Sequence, residues 1–446
     1  METATQKKEM ILYRDLKYQQ LFEDMCVLLN AGQENTASRP DHWACANQLI
    51  ELAVTYGFKG NLWHCFLAFC MANHENAYST SCEIVGPIAG TLSQLAAHDF
   101  SLFRKLFTCD IAALDGETAG IWTLMKAYEN PSENCKAFNR RIRDRIVELS
   151  VALEKAEDDT AFQETVTEFY REFGVGKFGL NKAFHICMED DDHRARIEPI
   201  TRIEHISLDA LVGYEIQKKK LIENTEAFIE GRACNNVLLY GDSGTGKSSS
   251  IKAILNQYYD RGLRMIEVYK HQFRGLSDVL EQIKDRNYRF IIYMDDLSFE
   301  EYEIEYKYLK AIIEGGLGIK PQNVLIYATS NRRHLIREKF SDKKEILDDD
   351  LHANDTVQEK LSLVARFGVT IYYGSPNKKE FQNIVRVLAE KYDIVMPEDE
   401  LYLEANKWEL SHGGLSGRTA AQFIAYLLGK VRQEEKQYGN QDLCRH

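Results

Sequence analysis

The chain is poor in the features that mark export, cross-linking and disorder. Only 7 of its 446 residues are proline. No low-complexity tract occurs, so long disordered segments have little room. The N-terminus, METATQKKEMILYRDL, has no apolar run of signal-peptide length, and nowhere do about eighteen apolar residues follow one another. A cytoplasmic chain without membrane insertion is expected. The 10 cysteines show neither C-x-x-C pairs nor regular spacing, which reads as reduced, buried thiols. Positive charge is also scarce. The net charge is −13, of which residues up to Cys187 contribute −7 and the remainder −6. Neither half has the broad basic surface of a dedicated duplex binder. Charge therefore does not support nucleic acid as a partner, although a local basic patch in an oligomer stays open.

What is present describes a globular protein of two to three domains, 44% hydrophobic and 28% charged. Residues 1–187 show helical periodicity almost throughout, beginning with Leu12, Leu16, Leu21 and Met25, and are expected to form an all-α domain of seven to nine helices. Within it, His64, Cys65, Cys70 and His74 lie close in sequence. Their apolar neighbours Phe66, Leu67, Phe69 and Met71 favour core packing over a metal site. Arg140, Arg141, Arg143 and Arg145 read as a solvated helix face, with an acidic partner or a nucleic-acid strand as the alternative. FGVGKFGLNKAFHIC (173–187) suggests a packed connection. The charged stretch 188–206, with Pro199, is expected to be a linker.

From Ser207 the pattern changes. The stretch VLLYGDSGTGKSSS (237–250) is a hydrophobic strand, a glycine loop and the start of a helix, matching G-x-x-x-x-G-K-S in its required setting. Gly241, Asp242, Ser243, Gly244, Thr245, Gly246, Lys247, Ser248 and Ser249 form the expected phosphate cradle, because backbone N–H groups and a helix N-terminus together attract anions. Lys247 supplies a point charge for the phosphates and Ser248 a hydroxyl for Mg²⁺. Downstream, RMIEVY (264–269), YRFIIYMDD (288–296), NVLIYATSN (323–331) and VTIYYG (369–374) read as strands alternating with helices, hence an α/β domain over 207–375 with a parallel sheet. Ser207 or Asp209 is expected to cap the helix after Gly213. Asp295 ends its strand as a candidate Mg²⁺ ligand, and Asp296 as the group that orients or deprotonates water. Asn331 can position the same water. Arg366 and Arg418 are candidate phosphate contacts. After Pro376 the pattern is helical again, predicting a helical lid over 376–446.

GDSGTGKSS, IIYMDD, VLIYATSN, ARFG and SGRTA together make the segment from about Leu208 to Glu435 resemble the AAA+ ATPases. DDLSFEE (295–301), YKYLKAIIEGGL (306–317), PQNVLIYATSNRRHL (321–335) and LSGRTAAQFI (415–424) resemble, more narrowly, a bacterial family of predicted ATPases labelled as a domain of unknown function. The resemblance implies a P-loop AAA+ module with a C-terminal helical lid. It implies ATP and Mg²⁺ as ligands, Lys247 and Ser248 as phosphate and magnesium residues, and Asp295 and Asp296 as metal and water residues. It implies Asn331 as first sensor, Arg366 as an arginine finger acting on a neighbouring subunit, and Arg418 as second sensor. Leu211, Val212 and Gly213 would line the adenine pocket. A homo-oligomeric ring, often a hexamer, goes with this layout. Hydrolysis would remodel or regulate an unknown protein partner bound by the N-terminal domain; the alternative is a nucleotide-switched nucleic-acid loader with little hydrolysis. Two departures stand out. Asp296 occupies a place where most of the superfamily has Glu, which weakens the case for fast hydrolysis, and Arg332 and Arg333 compete with Arg366 for the finger. Phe273, Arg274 and Gly275 fall where a polypeptide-threading loop would lie, with Arg in place of the apolar middle residue.

Overall fold

A computed structural model of the chain describes residues 9–30, 40–116, 120–130, 139–188, 195–201, 203–300, 303, 305–314, 321–333, 335 and 363–442. Residues 31–39, the acidic run 189–194 and most of the segment leading into ARFG lie outside them. The chain divides into two compact units, Met1–Ala183 with Pro199–Ile203, and Phe184–Glu198 with Glu204–His446. Among the described residues, no helix is long and apolar enough to cross a membrane.

The first unit is helical: α1 Gln19–Asn30, α2 His42–Tyr56, α3 Leu62–Asn73, α4 Ala77–Val85, α5 Thr91–Thr108, α6 Ile121–Lys126, α7 Arg140–Glu154, α8 Asp159–Phe173 and α9 Gly176–Leu180. Helix α3 is apolar all round and buried on every face from Leu62 to Ala72, which places it at the centre of the core. Asn61 starts it by accepting the N–H groups of Trp63 and His64. The four candidate metal residues there do not converge. His64 Nε2 meets the Phe107 carbonyl at 2.9 Å and His74 Nε2 meets the Leu12 carbonyl at 2.9 Å. Burial pushes the Cys65 thiol up to about 11 and raises Cys70 further. These are core residues. The eight cysteines of the described residues are all free.

The helical periodicity that begins at Leu12 is not a helix until Gln19. The N–H groups of Ile11, Leu12 and Tyr13 instead donate to the carboxylate of Asp99, at 2.7–3.1 Å. A carboxylate that is fully buried must be hydrogen-bonded, and here it takes the donors that a first helical turn would leave open. In α7, Arg145 does not face solvent alone: its guanidinium lies 4.1 Å from the Phe173 ring centroid.

The second unit holds a seven-stranded sheet, β1 Ala183–Met188, β2 Ala195–Pro199, β3 Val237–Gly241, β4 Leu263–Glu267, β5 Arg289–Met294, β6 Val324–Ser330 and β7 Val369–Tyr373, in the order β2-β1-β4-β5-β6-β3-β7. The helices are α10 Glu215–Ile229, α11 Lys247–Tyr258, α12 Leu276–Ile283 and α13 Glu305–Glu314, then α14 Lys378–Lys391, α15 Glu398–Ser411 and α16 Gly417–Asp442. The five strands from β3 to β7 pair in parallel. Strands β3, β5 and β6 are apolar runs buried almost throughout, as a sheet covered on both faces requires. Helices cover the sheet, and α14–α16 close around their own small core of Phe381, Val385, Leu401, Ala405, Ala420 and Phe423.

Two local expectations are corrected. Residues 183–199, read as a packed connection and charged linker, supply β1 and β2 and extend the sheet. The alternation of buried Phe184, Ile186, Ala195 and Ile197 with outward polar residues is a strand signal that the surrounding charge obscured. Neither Ser207 nor Asp209 caps the helix after Gly213: α10 starts from Tyr214, at φ 61° and without a side-chain cap.

Candidate functional site

Because β3, β5 and β6 are parallel and in register, their carboxyl ends lie side by side. Tyr240 pairs with Ser330, and Met294 with Ala328, so the loop after β3, the carboxylates after β5 and Thr329–Asn331 after β6 meet in one place. Gly241 turns the chain into the loop at φ 132°, where a Cβ would lie 2.1 Å from the Tyr373 carbonyl oxygen. Gly244, at φ 75°, would meet Ser416 and Arg418. Helix α11 then opens at Lys247.

Two hydrogen-bonded chains cross the site. Lys247 Nζ donates to the carbonyls of Gly241 and Asp242, at 2.9 and 2.6 Å, and to Asn331 Oδ1 at 3.0 Å. The Asn331 amide nitrogen donates in turn to Asp296 Oδ1 at 2.7 Å. In the second chain, Ser248 Oγ and Thr329 Oγ1 both donate to Asp295 Oδ1, at 2.7 and 2.5 Å. Thr329 Oγ1 also accepts the N–H of Asp296 at 2.9 Å, and its carbonyl accepts that of Leu297 at 2.7 Å. Strand β6 thus holds Asp296 in the left-handed region at φ 49°, which Asp tolerates better than most residues. Burial lowers the Lys247 pKa despite the nearby Asp242, Asp296 and Asp295. At Asp295, burial acts to raise the carboxyl, but the bonds from Thr329 and Ser248 outweigh it and hold it below the usual range.

Above these groups is a cavity of about 640 Å³. Its lining includes Ser243–Ser249 of the loop, Asp295, Asp296, Thr329 and Asn331, with Leu211 and Val212 on one side and Arg418 of the lid on another. The Arg418 N–H donates to the Gly244 carbonyl at 3.2 Å, and Nη1 to Ser243 Oγ at 3.4 Å, so the SGR turn sits on the loop itself. Gly213, Arg366, Arg332 and Arg333 are not among the lining residues. The Ser248 hydroxyl and Asp295 carboxylate, 2.7 Å apart, are hard oxygen donors of the kind Mg²⁺ takes alongside retained waters, so the residues fit that ion.

Three contributors were hidden from the sequence. Thr329 sits inside an apolar strand and shows its role only through its partners. Lys218, in a KKK run, is buried and donates to the Leu211 carbonyl. Tyr214 stacks on Tyr373, 5.1 Å between centroids, and donates to the Gly374 carbonyl at 2.8 Å. The pair anchors the segment that carries Leu211 and Val212. The Phe273–Gly275 turn shows no threading loop: Phe273 is buried against Phe299.

Among solved structures, the chain is similar to the Holliday junction branch migration motor RuvB of Thermotoga maritima, at 17% identity and a TM-score of 0.33, covering 49% of this chain and 63% of that one. Two point mutants of the same protein match at 18% identity, with TM-scores of 0.34 and 0.35, covering 49% and 50% of this chain and 63% and 65% of theirs. The chain thus spans less than two thirds of the length of these structures. No curated protein matches it. Residues 181–431, more than half of the chain and the whole of the site above, match the family described as "Protein of unknown function (DUF815)", and the chain belongs to that family.

Proposed function

We propose that this protein is a Mg²⁺-dependent AAA+ ATPase that works as a ring of identical subunits and acts on a protein partner held by its helical first unit. One observation carries the reading: Lys247, Asn331 and Asp296 on one side, and Ser248, Asp295 and Thr329 on the other, form two connected hydrogen-bond chains beneath a single cavity. A phosphate grip alone needs only the loop. The second chain supports a metal role for Asp295, and the first, which links Lys247 through Asn331 to Asp296, supports a role for that carboxylate in acting on water.

In this reading, the loop N–H groups from Gly241 to Ser249 and Lys247 hold the phosphates. Ser248 and Asp295 hold Mg²⁺, which neutralises charge on the phosphate oxygens. Asp296 orients and deprotonates the attacking water, and Asn331 holds Asp296 and that water in place. Arg418 brings the lid onto the phosphates. Leu211, Val212 and Gly213 take the adenine. Arg366, outside its own subunit's cavity, completes the site of a neighbour. The shorter side chain of Asp296 predicts slow turnover, with the ATP-bound state long-lived.

The test combines binding, assembly and complementation. ATP affinity should be lost in Lys247→Ala and retained in Asp296→Asn, and the latter should sediment as a multimer when ATP and Mg²⁺ are present. Lys247→Ala and Arg366→Ala, each inactive alone, should regain turnover when mixed, because one donates an intact finger and the other an intact loop. Unchanged ATP affinity in Lys247→Ala, or a monomer under all conditions, contradicts the reading.

A further inference from the structure

Away from the nucleotide site, β1 and β2 form the outer edge of the sheet. Six residues join them, too few for a parallel crossover, so they pair antiparallel. The Ile200 N–H donates to the Ala183 carbonyl at 2.9 Å. Continuing that register sets Glu198 opposite His185, with Cys187 two residues further along the same face. Their donor atoms, an imidazole nitrogen, a thiol sulfur and a carboxylate oxygen, all lie within 4.8 Å of one another. No other group of three His, Cys, Asp or Glu among the described residues meets in this way.

The ribbon that carries them is held from behind. Phe184, Ile186, Ala195 and Ile197 are buried on the opposite face. Gln272, itself buried, donates to the carbonyl of Ile186, the residue between the two β1 donors, at 2.8 Å. Gln272 Oε1 in turn accepts the Tyr269 N–H at 2.9 Å. Gln282 donates to the Ala195 carbonyl at 2.7 Å and fixes β2. The backbone is thus set, and the three side chains need only rotamer adjustment. With metal–ligand bonds of about 2.0–2.3 Å, tetrahedral donors sit about 3.3–3.8 Å apart, roughly 1 Å closer than the present limit.

We propose that His185, Cys187 and Glu198 form a binding site for a zinc-type divalent cation, which cross-links the two edge strands. A nitrogen, sulfur and oxygen set suits Zn²⁺ better than the hard-oxygen ion of the nucleotide site, and three protein donors leave a fourth position for water. Binding replaces the Cys187 S–H bond with a thiolate–metal bond, and the proton leaves to solvent. The site is independent of the ATPase reading.

The experiment uses the full chain, reduced and stripped with a chelator, then titrated with Co²⁺ as a spectroscopic probe. A thiolate-to-cobalt charge-transfer band should appear, saturate at one ion per chain and disappear on adding Zn²⁺, with proton release in weak buffer. Cys187→Ser should abolish the band. His185→Gln and Glu198→Gln should each weaken Co²⁺ binding by at least about tenfold, the loss usual for even outer partners of a metal ligand. Lys247→Ala and Cys109→Ser should leave the band intact. All of these side chains except Lys247 lie outside the tightly packed cores, and far-ultraviolet circular dichroism checks that each variant is folded. Absence of the band in the wild type, its persistence in Cys187→Ser, or its loss in Cys109→Ser overturns the proposal.

Discussion

Replacing Thr329 by Val keeps the shape of β6 and removes one hydroxyl whose bonds are both committed. Its proton goes to Asp295 and its lone pair accepts the Asp296 N–H, in a position 2% exposed. A hydrogen bond to a charged group contributes about 1.5–3 kcal/mol, so a net loss of about 2 kcal/mol is expected. At about 2–4 °C per kcal/mol for a unit of this size, the melting transition of the second unit should fall by about 4–8 °C. Asp295 loses the bond that best counters its burial, so its carboxyl rises toward the ordinary range. It also loses its fixed orientation. The Mg²⁺ concentration for half-maximal ATP turnover should therefore rise by about 10- to 100-fold, as for other residues that orient metal ligands. Thr329→Ser retains the hydroxyl and should retain both properties. The assay is calorimetry together with phosphate release across a Mg²⁺ series. A Val variant with unchanged melting and unchanged Mg²⁺ requirement would refute the claim that β6 sets the carboxylates.

Three further outcomes follow from other parts of the molecule. Asp99→Ala strands the N–H groups of Ile11, Leu12 and Tyr13 and should destabilise the helical unit by several times the roughly 1 kcal/mol lower limit for one unsatisfied donor, measured by urea unfolding. The Asp242 carboxyl is held below its usual range by the Ser375 N–H, which it accepts at 2.7 Å. A depressed folded value means that its contribution is fully present above the unfolded carboxylate value of about 4 and fades as pH falls through the lower folded value. Asp242→Asn should therefore flatten the decline in stability as pH falls below about 4, read from denaturation midpoints. The Lys247 pKa is lowered too, by burial that disfavours its charged form, so ATP affinity should decline at a lower alkaline pH than an ordinary lysine, near 10.4, would give, as followed by calorimetric titration.

The order of strands and helices from β3 onward was legible because each apolar run is bounded by loop residues, and because the phosphate loop requires particular residue types at fixed spacing. Lys247, Ser248, Asp295, Asp296 and Asn331 are drawn together by sheet register, and the order of parallel strands follows from that topology. What stayed hidden depends on partners distant in sequence. The Met10–Tyr13 stretch has helical periodicity, but Asp99, 86 to 88 residues away, takes its N–H groups. Thr329 looks like any strand residue until Asp295 is beside it. The β1–β2 ribbon was masked by the charge around it, and its alternation counted for less than Pro199 in marking a boundary. Arg366 was singled out by its place in ARFG, and it is not among the residues that line the cavity.

The most direct test of the central claim is steady-state phosphate release by the purified chain with saturating ATP and Mg²⁺, beside Asp296→Asn with its ATP affinity measured in parallel. The account predicts slow but measurable release in the wild type. In the variant it predicts a fall of about 10²- to 10⁴-fold, the range for removing a general base, at unchanged affinity. A wild-type chain that binds ATP and releases no phosphate, or a variant as active as the wild type, would contradict it.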